Sequence, residues 1–168
     1  AIQSAIATGA WMVNVHASGG TAMMQAAAEA ARKASASPSG HPLVIAVTVL
    51  TSMDAADLAE TGISVPVEEQ VCRLARLAVD SAIDGVVCSA LEAPVLRQAL
   101  GPAPLLVTPG IRPSGSDTGD QRRTMGPREA LLAGSDFLVV GRPITGALDP
   151  SVALREILSE ISYRNPPP

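Results

Sequence analysis

Two arginines in this chain stand where a strand-length apolar run stops, and arginine is the residue type that grips anions. Residues 105–108 (LLVT) end at Pro109 and Gly110, and Arg112 follows. Residues 136–140 (DFLVV) end at Gly141, Arg142 and Pro143. Glycine lets a backbone approach a ligand closely, and the guanidinium beside it offers a planar fork of donors that matches phosphate or carboxylate. Between these two ends, residues 111–123 hold three arginines, Gln121 and almost nothing apolar. The small and polar residues SGSDTGD suit a segment that closes over a bound anion, with Gln121 at its far end.

The elements that must position these groups alternate between strand and helix. Residues 1–8 read as the end of a helix, closed by Gly9 in the left-handed geometry that glycine favours. Strands are expected over residues 10–16, 43–49, 84–89, 105–108 and 136–140; LVIAVTV at 43–49 is uncharged and rich in β-branched residues, as a buried strand requires. Gly19 and Gly20 lead into an alanine-rich helix expected to end near Lys33, and further helices are expected from Asp54 and over residues 67–82, 91–100, 127–133 and 150–161. Residues 35–42 (SASPSGHP) read as a loop. Residues 163–168 read as a disordered tail to a single domain part, 1–162.

Five parallel strands could form an open doubly wound sheet or a portion of a (β/α)8 TIM barrel. Polar groups at the end of nearly every strand favour the barrel, whose strand ends share one face and whose last two βα loops are a frequent phosphate site. The ends at Gly110 and Gly141 would then share one ligand.

Composition sets the bounds. The 168 residues are 47% hydrophobic, so a sizeable core can be buried, yet only 2% are aromatic, so that core is built from Ala, Val, Leu and Ile. A formal net charge of −4 argues against nucleic acid as a partner. Cys72 and Cys88 form neither a disulfide framework nor a metal pattern; they read as core residues of a cytoplasmic protein. No apolar run is long enough for a membrane span.

Other polar residues keep two readings. Thr51 is either an ordinary helix N-terminal hydroxyl or a hydrogen-bonding group on the barrel face. His16 ends its strand without an acidic partner in view and reads as structural rather than as a base, while His41 reads as a solvated loop residue. Arg122 and Arg123, whose side chains must diverge, read as solvated or paired with Asp120.

Five runs, VNVHASGG (13–20), VTVLTSM (47–53), DGVVCSALEA (84–93), VTPGIRPSGSDTGDQRR (107–123) and VVGRPIT (139–145), stand in order. At this spacing they resemble the bacterial-type orotidine 5′-phosphate decarboxylase family over residues 10–161. Related sugar-phosphate decarboxylases and synthases of the same barrel share the Gly-Arg element but not the long segment ending in DQRR. The resemblance implies a TIM barrel, a homodimer in the complete protein, and cofactor-free decarboxylation of orotidine 5′-phosphate to uridine 5′-phosphate in pyrimidine biosynthesis. It further implies that Arg112, Gln121, Gly141 and Arg142 bind the 5′-phosphate, with Gln121 bridging to the pyrimidine. Thr51 would meet the pyrimidine edge and Pro109 would wall the base pocket.

In that family the chemistry belongs to an Asp-x-Lys-x-x-Asp motif, which this sequence does not contain; its single lysine is Lys33. By register with the family, Ala1 falls just after that motif, which is expected to lie N-terminal to Ala1. No catalytic residue is therefore assigned here. The chain resembles the C-terminal two-thirds of the enzyme, about five βα units of eight, and a complete protein is expected to carry about eighty further N-terminal residues. The 168 residues alone are expected not to turn substrate over. The alternatives are a non-catalytic half-barrel that binds nucleotide or phosphate, and a structural fragment needing a complementary chain.

Overall fold

The computed structural model describes residues 1–34, 42–113 and 119–162. Its centre is a five-stranded sheet in the order β1 (Met12–His16), β2 (Leu43–Val47), β3 (Gly85–Val87), β4 (Leu105–Thr108), β5 (Phe137–Leu138). Every neighbouring pair is parallel. Each strand pairs with its successor and the order never reverses. A doubly wound sheet requires such a reversal, so the sheet is an arc of a barrel.

The curvature is visible at the rims. In a flat sheet β1 and β5 would lie about 19 Å apart, at four spacings of about 4.8 Å. Instead Trp11, just before β1, and Phe137 on β5 bring their ring centroids to 5.8 Å. The concave face carries the rows Asn14, Ile45, Gly85, Leu105 and His16, Val47, Val87, Val107, Phe137, which the strand register places side by side.

On the convex face lies one contiguous apolar core. Val44, Ala46, Val86 and Leu106 from the strands, with Cys88 just beyond β3, pack with Met24, Ala27, Ala28 and Ala31 of α2 (Gly20–Lys33), Val71, Leu74, Ala75 and Ala78 of α4 (Val67–Asp80), and Leu96 of α5 (Ala93–Leu100). The α4 positions recur at intervals of three and four, the stripe a helix buries. Each fully buried Val or Leu contributes about 1.5–3 kcal/mol relative to exposure. Alanines predominate on α2, which lets that helix sit close to the strands.

Register is set by side chains as well as by the ladder. Asp84, just before β3, accepts the Val44 N–H of β2 at 2.7 Å, and Asp136, just before β5, accepts the Leu106 N–H of β4 at 2.7 Å. Each aspartate thus ties its own strand to the one before it. Arg97 of α5 ties the second device to its surroundings, donating to Asp136 at 2.5 Å and to the Gly134 and Pro104 carbonyls.

Five further α-helices complete the described residues: α1 (Ile2–Ala7), α3 (Ala55–Glu60) and α6 (Pro127–Ala133), then α7 (Arg142–Thr145) and α8 (Pro150–Ser162) after β5. Ala1 stands at the N-cap of α1, exposed, and its carbonyl accepts the Ala5 N–H at 3.0 Å. Short 3-10 turns follow β1 and β3, at Ala17–Gly19 and Ala90–Glu92. The expected strands over 84–89 and 136–140 are shorter than their apolar runs. Ser89 turns away to cap the 3-10 turn, and Gly141 starts α7, so the ladder stops early. The loop at residues 35–41, His41 and the tail at 163–168 lie outside the described residues. Among the described residues no helix is long and apolar enough to cross a membrane.

Candidate functional site

Parallel strands in one arc deliver their C-terminal ends to one rim, and the polar groups gather there. Beyond β2 the chain runs through Leu50 and Thr51 to Asp54, which caps α3: its carboxylate accepts the N–H groups of Ala56 and Asp57, and Asp57 accepts the Asp54 N–H in return. Beyond β3, Ser89 and Glu92 form the same reciprocal box around the 3-10 turn. Beyond β4 come Pro109 and Gly110, then a bridge between Ile111 and Met125 that closes the neck of the long connection to α6.

The return arm of that connection, Asp120 to Arg123, is a four-residue stitch. Asp120 pairs with Arg142 beyond β5, and the Thr51 hydroxyl donates to Gln121 Oε1. Arg122 grips both carboxylates of the α3 cap, Asp54 and Asp57. Arg123 pairs with Glu92 and donates to the Leu50 and Val49 carbonyls at 2.7 and 3.2 Å. Each of the four residues turns its side chain a different way, and together they reach five side chains beyond the ends of β2, β3 and β5.

Gly110 makes the neck possible. It has φ +76°, and a Cβ there would sit 2.7 Å from the Arg123 carbonyl oxygen and within 4 Å of Gln121 and Thr51. Only glycine accepts that conformation and that contact together. Beneath it, Ala90, Ile111 and Ala130 form a small second core with Met125, Leu138 and Val140. The rim therefore stands on its own packed floor.

The electrostatics differ from place to place along the rim. The Arg123 side chain is 14% exposed and Glu92 6%, and Arg123 Nε is enclosed without an acceptor among the described residues. Burial pushes the Glu92 carboxyl up from its ordinary value, against the opposing pull of Arg123 and of its bond from the Ser89 N–H. The Arg142 guanidinium beside Asp120 holds that carboxyl below its ordinary value, yet the two side chains are 59% and 63% exposed. Cys88, under Glu92, is pushed up to about 12, chiefly by burial.

The structure brings together most of the residues singled out by sequence. Thr51 and Gln121 touch, Arg142 meets the return arm at Asp120, and Pro109 stands at the end of β4 beside the Gly110 neck. Gly141 caps α7, and among the described residues nothing lies within 4 Å of a Cβ position there. Arg112 sits at the neck, its N–H bonded to the Met125 carbonyl and its guanidinium donating to the Ile111 carbonyl at 2.9 Å. Arg142 reaches across to the return arm. Much of the segment expected to close over a ligand, residues 114–118, lies outside the described residues.

One expectation is corrected. Arg122 and Arg123 are neither simply solvated nor paired with Asp120: they hold Asp54, Asp57 and Glu92, while Asp120 takes Arg142. The adjacent side chains diverge, and their partners beyond neighbouring strand ends lie within reach. Glu92 and Asp57 escaped the sequence reading. Their signal was present in Ser89-x-x-Glu92 and Asp54-x-x-Asp57, spacings that announce capping boxes. Lys33 pairs with Glu29 at 2.6 Å at the far end of α2, away from the rim. The 168 residues contain no Asp-x-Lys-x-x-Asp run. Among the described residues no group of His, Cys, Asp and Glu is placed to hold a metal ion.

Comparison with known proteins bears on the same residues. The family model described as orotidine 5′-phosphate decarboxylase / HUMPS family matches residues 1–157. An orotidine 5′-phosphate decarboxylase of Chromobacterium violaceum is 59% identical over 162 residues, covering 96% of this chain and 64% of its own length. That of Vibrio parahaemolyticus is 54% identical over 166 residues, 98% of this chain and 69% of its own length. The crystal structure of orotidine 5′-phosphate decarboxylase from Lactobacillus acidophilus superposes with a TM-score of 0.74 at 40% identity, over 89% of this chain and 62% of that one. An uncharacterized conserved protein from Geobacillus kaustophilus gives 0.78 at 38% identity, over 95% and 67%. The chain thus spans roughly two thirds of the length of the relatives it matches, 64% of the first and 69% of the second.

Proposed function

This chain belongs to the orotidine 5′-phosphate decarboxylase / HUMPS family, and from that premise we propose that it forms the nucleotide-binding rim of an enzyme that decarboxylates orotidine 5′-phosphate to uridine 5′-phosphate. The observation that carries the reading is the contact of Gln121 with Thr51 on an arm that also meets Arg142. In this reading Arg142, Arg112 and the Gly141 backbone hold the 5′-phosphate, Thr51 meets the pyrimidine edge, Gln121 bridges the two, and Pro109 walls the base. A phosphate displaces Asp120 from Arg142, because a dianion with a fork of charged donors outcompetes an exposed carboxylate.

Decarboxylation leaves carbanion character at C6 of the pyrimidine, and a cation beside C6 stabilises it. Lys33 does not reach the rim, so this chain's own groups act at a distance from the reacting carbon. They bind the phosphate, orient the ring and exclude water, and binding energy from the non-reacting end lowers the barrier. The complete protein is proposed to be a homodimer working without a cofactor.

Loss of absorbance as orotidine 5′-phosphate is consumed by the intact protein tests the reading, with Arg142→Ala expected to remove most of kcat/KM. Absence of turnover with retained uridine 5′-phosphate binding would favour the second reading, a non-catalytic nucleotide-binding half-barrel.

A further inference from the structure

We propose that Arg123 is a positioning residue for Gln121: its ion pair with Glu92 fixes the return arm so that Gln121 meets Thr51. The inference rests on the reading above, in which Gln121 and Thr51 bound the ligand. Arg123 itself is not a ligand group. Its guanidinium is enclosed at 14% exposure and already serves Glu92 and the Val49 and Leu50 carbonyls.

Both ends of Arg123 are held. The side chain is bonded to the end of β2 and to the turn after β3, where Glu92 keeps its second oxygen on the Ser89 N–H at 2.7 Å. The carbonyl is pressed against Gly110 and accepts the Ser89 hydroxyl at 3.5 Å. Gln121 lies two residues upstream, at most about 7 Å along the chain. Between them only Arg122 intervenes, with its N–H on the Thr51 carbonyl at 3.2 Å. A displacement of Arg123 therefore passes directly to the amide that meets Thr51. The geometry is specific to a fork: a lysine ammonium is a compact point and cannot span Glu92 and both carbonyls in one plane.

The test is a double-substitution cycle in the intact protein, with Arg123→Gln, Arg123→Lys and Glu92→Gln each made alone and combined with Gln121→Ala. The Arg123→Gln substitution is expected to lower kcat/KM for orotidine 5′-phosphate about tenfold when Gln121 is present and by less than about twofold when it is alanine. Arg123→Lys should restore only part of the loss. An equal loss in both backgrounds would mean a merely structural role and would overturn the proposal. Should Arg123→Gln fail to fold, Arg123→Lys and Glu92→Gln carry the same cycle.

If the unsubstituted protein shows no turnover, it is the functional reading that fails, and amide hydrogen exchange decides the positioning role. Faster exchange in Arg123→Lys confined to residues 119–125 upholds it; unchanged exchange, or loosening spread across the sheet, overturns it.

Discussion

Arg123 and Arg142 carry the same guanidinium at the same rim in opposite settings. Arg123 is enclosed, paired with a buried carboxylate and bonded to two backbone carbonyls; Arg142 is 59% exposed and holds one carboxylate that is more exposed still. A buried charge cannot be released without leaving its partner stranded in a poor solvent for ions. An exposed pair exchanges readily, because water and salt already compete for both members. One arginine is therefore scaffold, and the other can exchange its partner.

The sharpest way to break this contrast is Arg123→Met, which leaves Glu92 buried without its cation. It should cost about 3–5 kcal/mol of folding stability by denaturant unfolding, and a loss below about 1 kcal/mol would place Arg123 with the surface residues. Next comes Arg142→Ala, expected to weaken calorimetric binding of uridine 5′-phosphate by about 1.5–3 kcal/mol, the worth of hydrogen bonds to a charged group. Its unfolding midpoint should move little, by about 0.5 kcal/mol at most. Equal effects of the two substitutions on both readouts would erase the distinction.

Acidity sharpens the contrast further. Because burial raises the Glu92 carboxyl, the folded state keeps that proton to a higher pH than the unfolded chain does. The resulting contribution to stability is full below the ordinary carboxylate value and is lost as pH rises through the raised one. The difference in melting temperature between the natural protein and Glu92→Gln should therefore shift against the natural protein from about pH 4 to about pH 7. Asp120 is lowered and has the opposite sign, with an effect that salt should erase. The smallest change expected is from Asp120→Asn, a modest tightening of phosphate binding at low ionic strength that fades as salt is added.

The βα alternation was legible because each strand is an apolar run and each helix carries its own period, as in LVIAVTV and the α4 stripe. Strand order was not, since the same alternation serves an open sheet; the unreversed pairing and the Trp11–Phe137 contact decide it. At the site, the glycine-arginine pairs after two strands announced themselves by type and position. The partners of Arg122 and Arg123 did not, because Asp54, Asp57 and Glu92 come from elements 31 to 68 residues away along the chain. Local spacing revealed the two capping boxes but not that an arginine would settle onto each.

Asp84 and Asp136 give the sheet an order of assembly. The residue that tells β2 where to lie sits 40 positions behind Val44, and the one for β4 sits 30 behind Leu106. A chain made from its N-terminus forward therefore carries each of these strands without its marker until the following helix has been completed. Synthesis runs ahead and alignment runs one unit behind, so a pause after α4 or α6 would leave the newest strand free to slip.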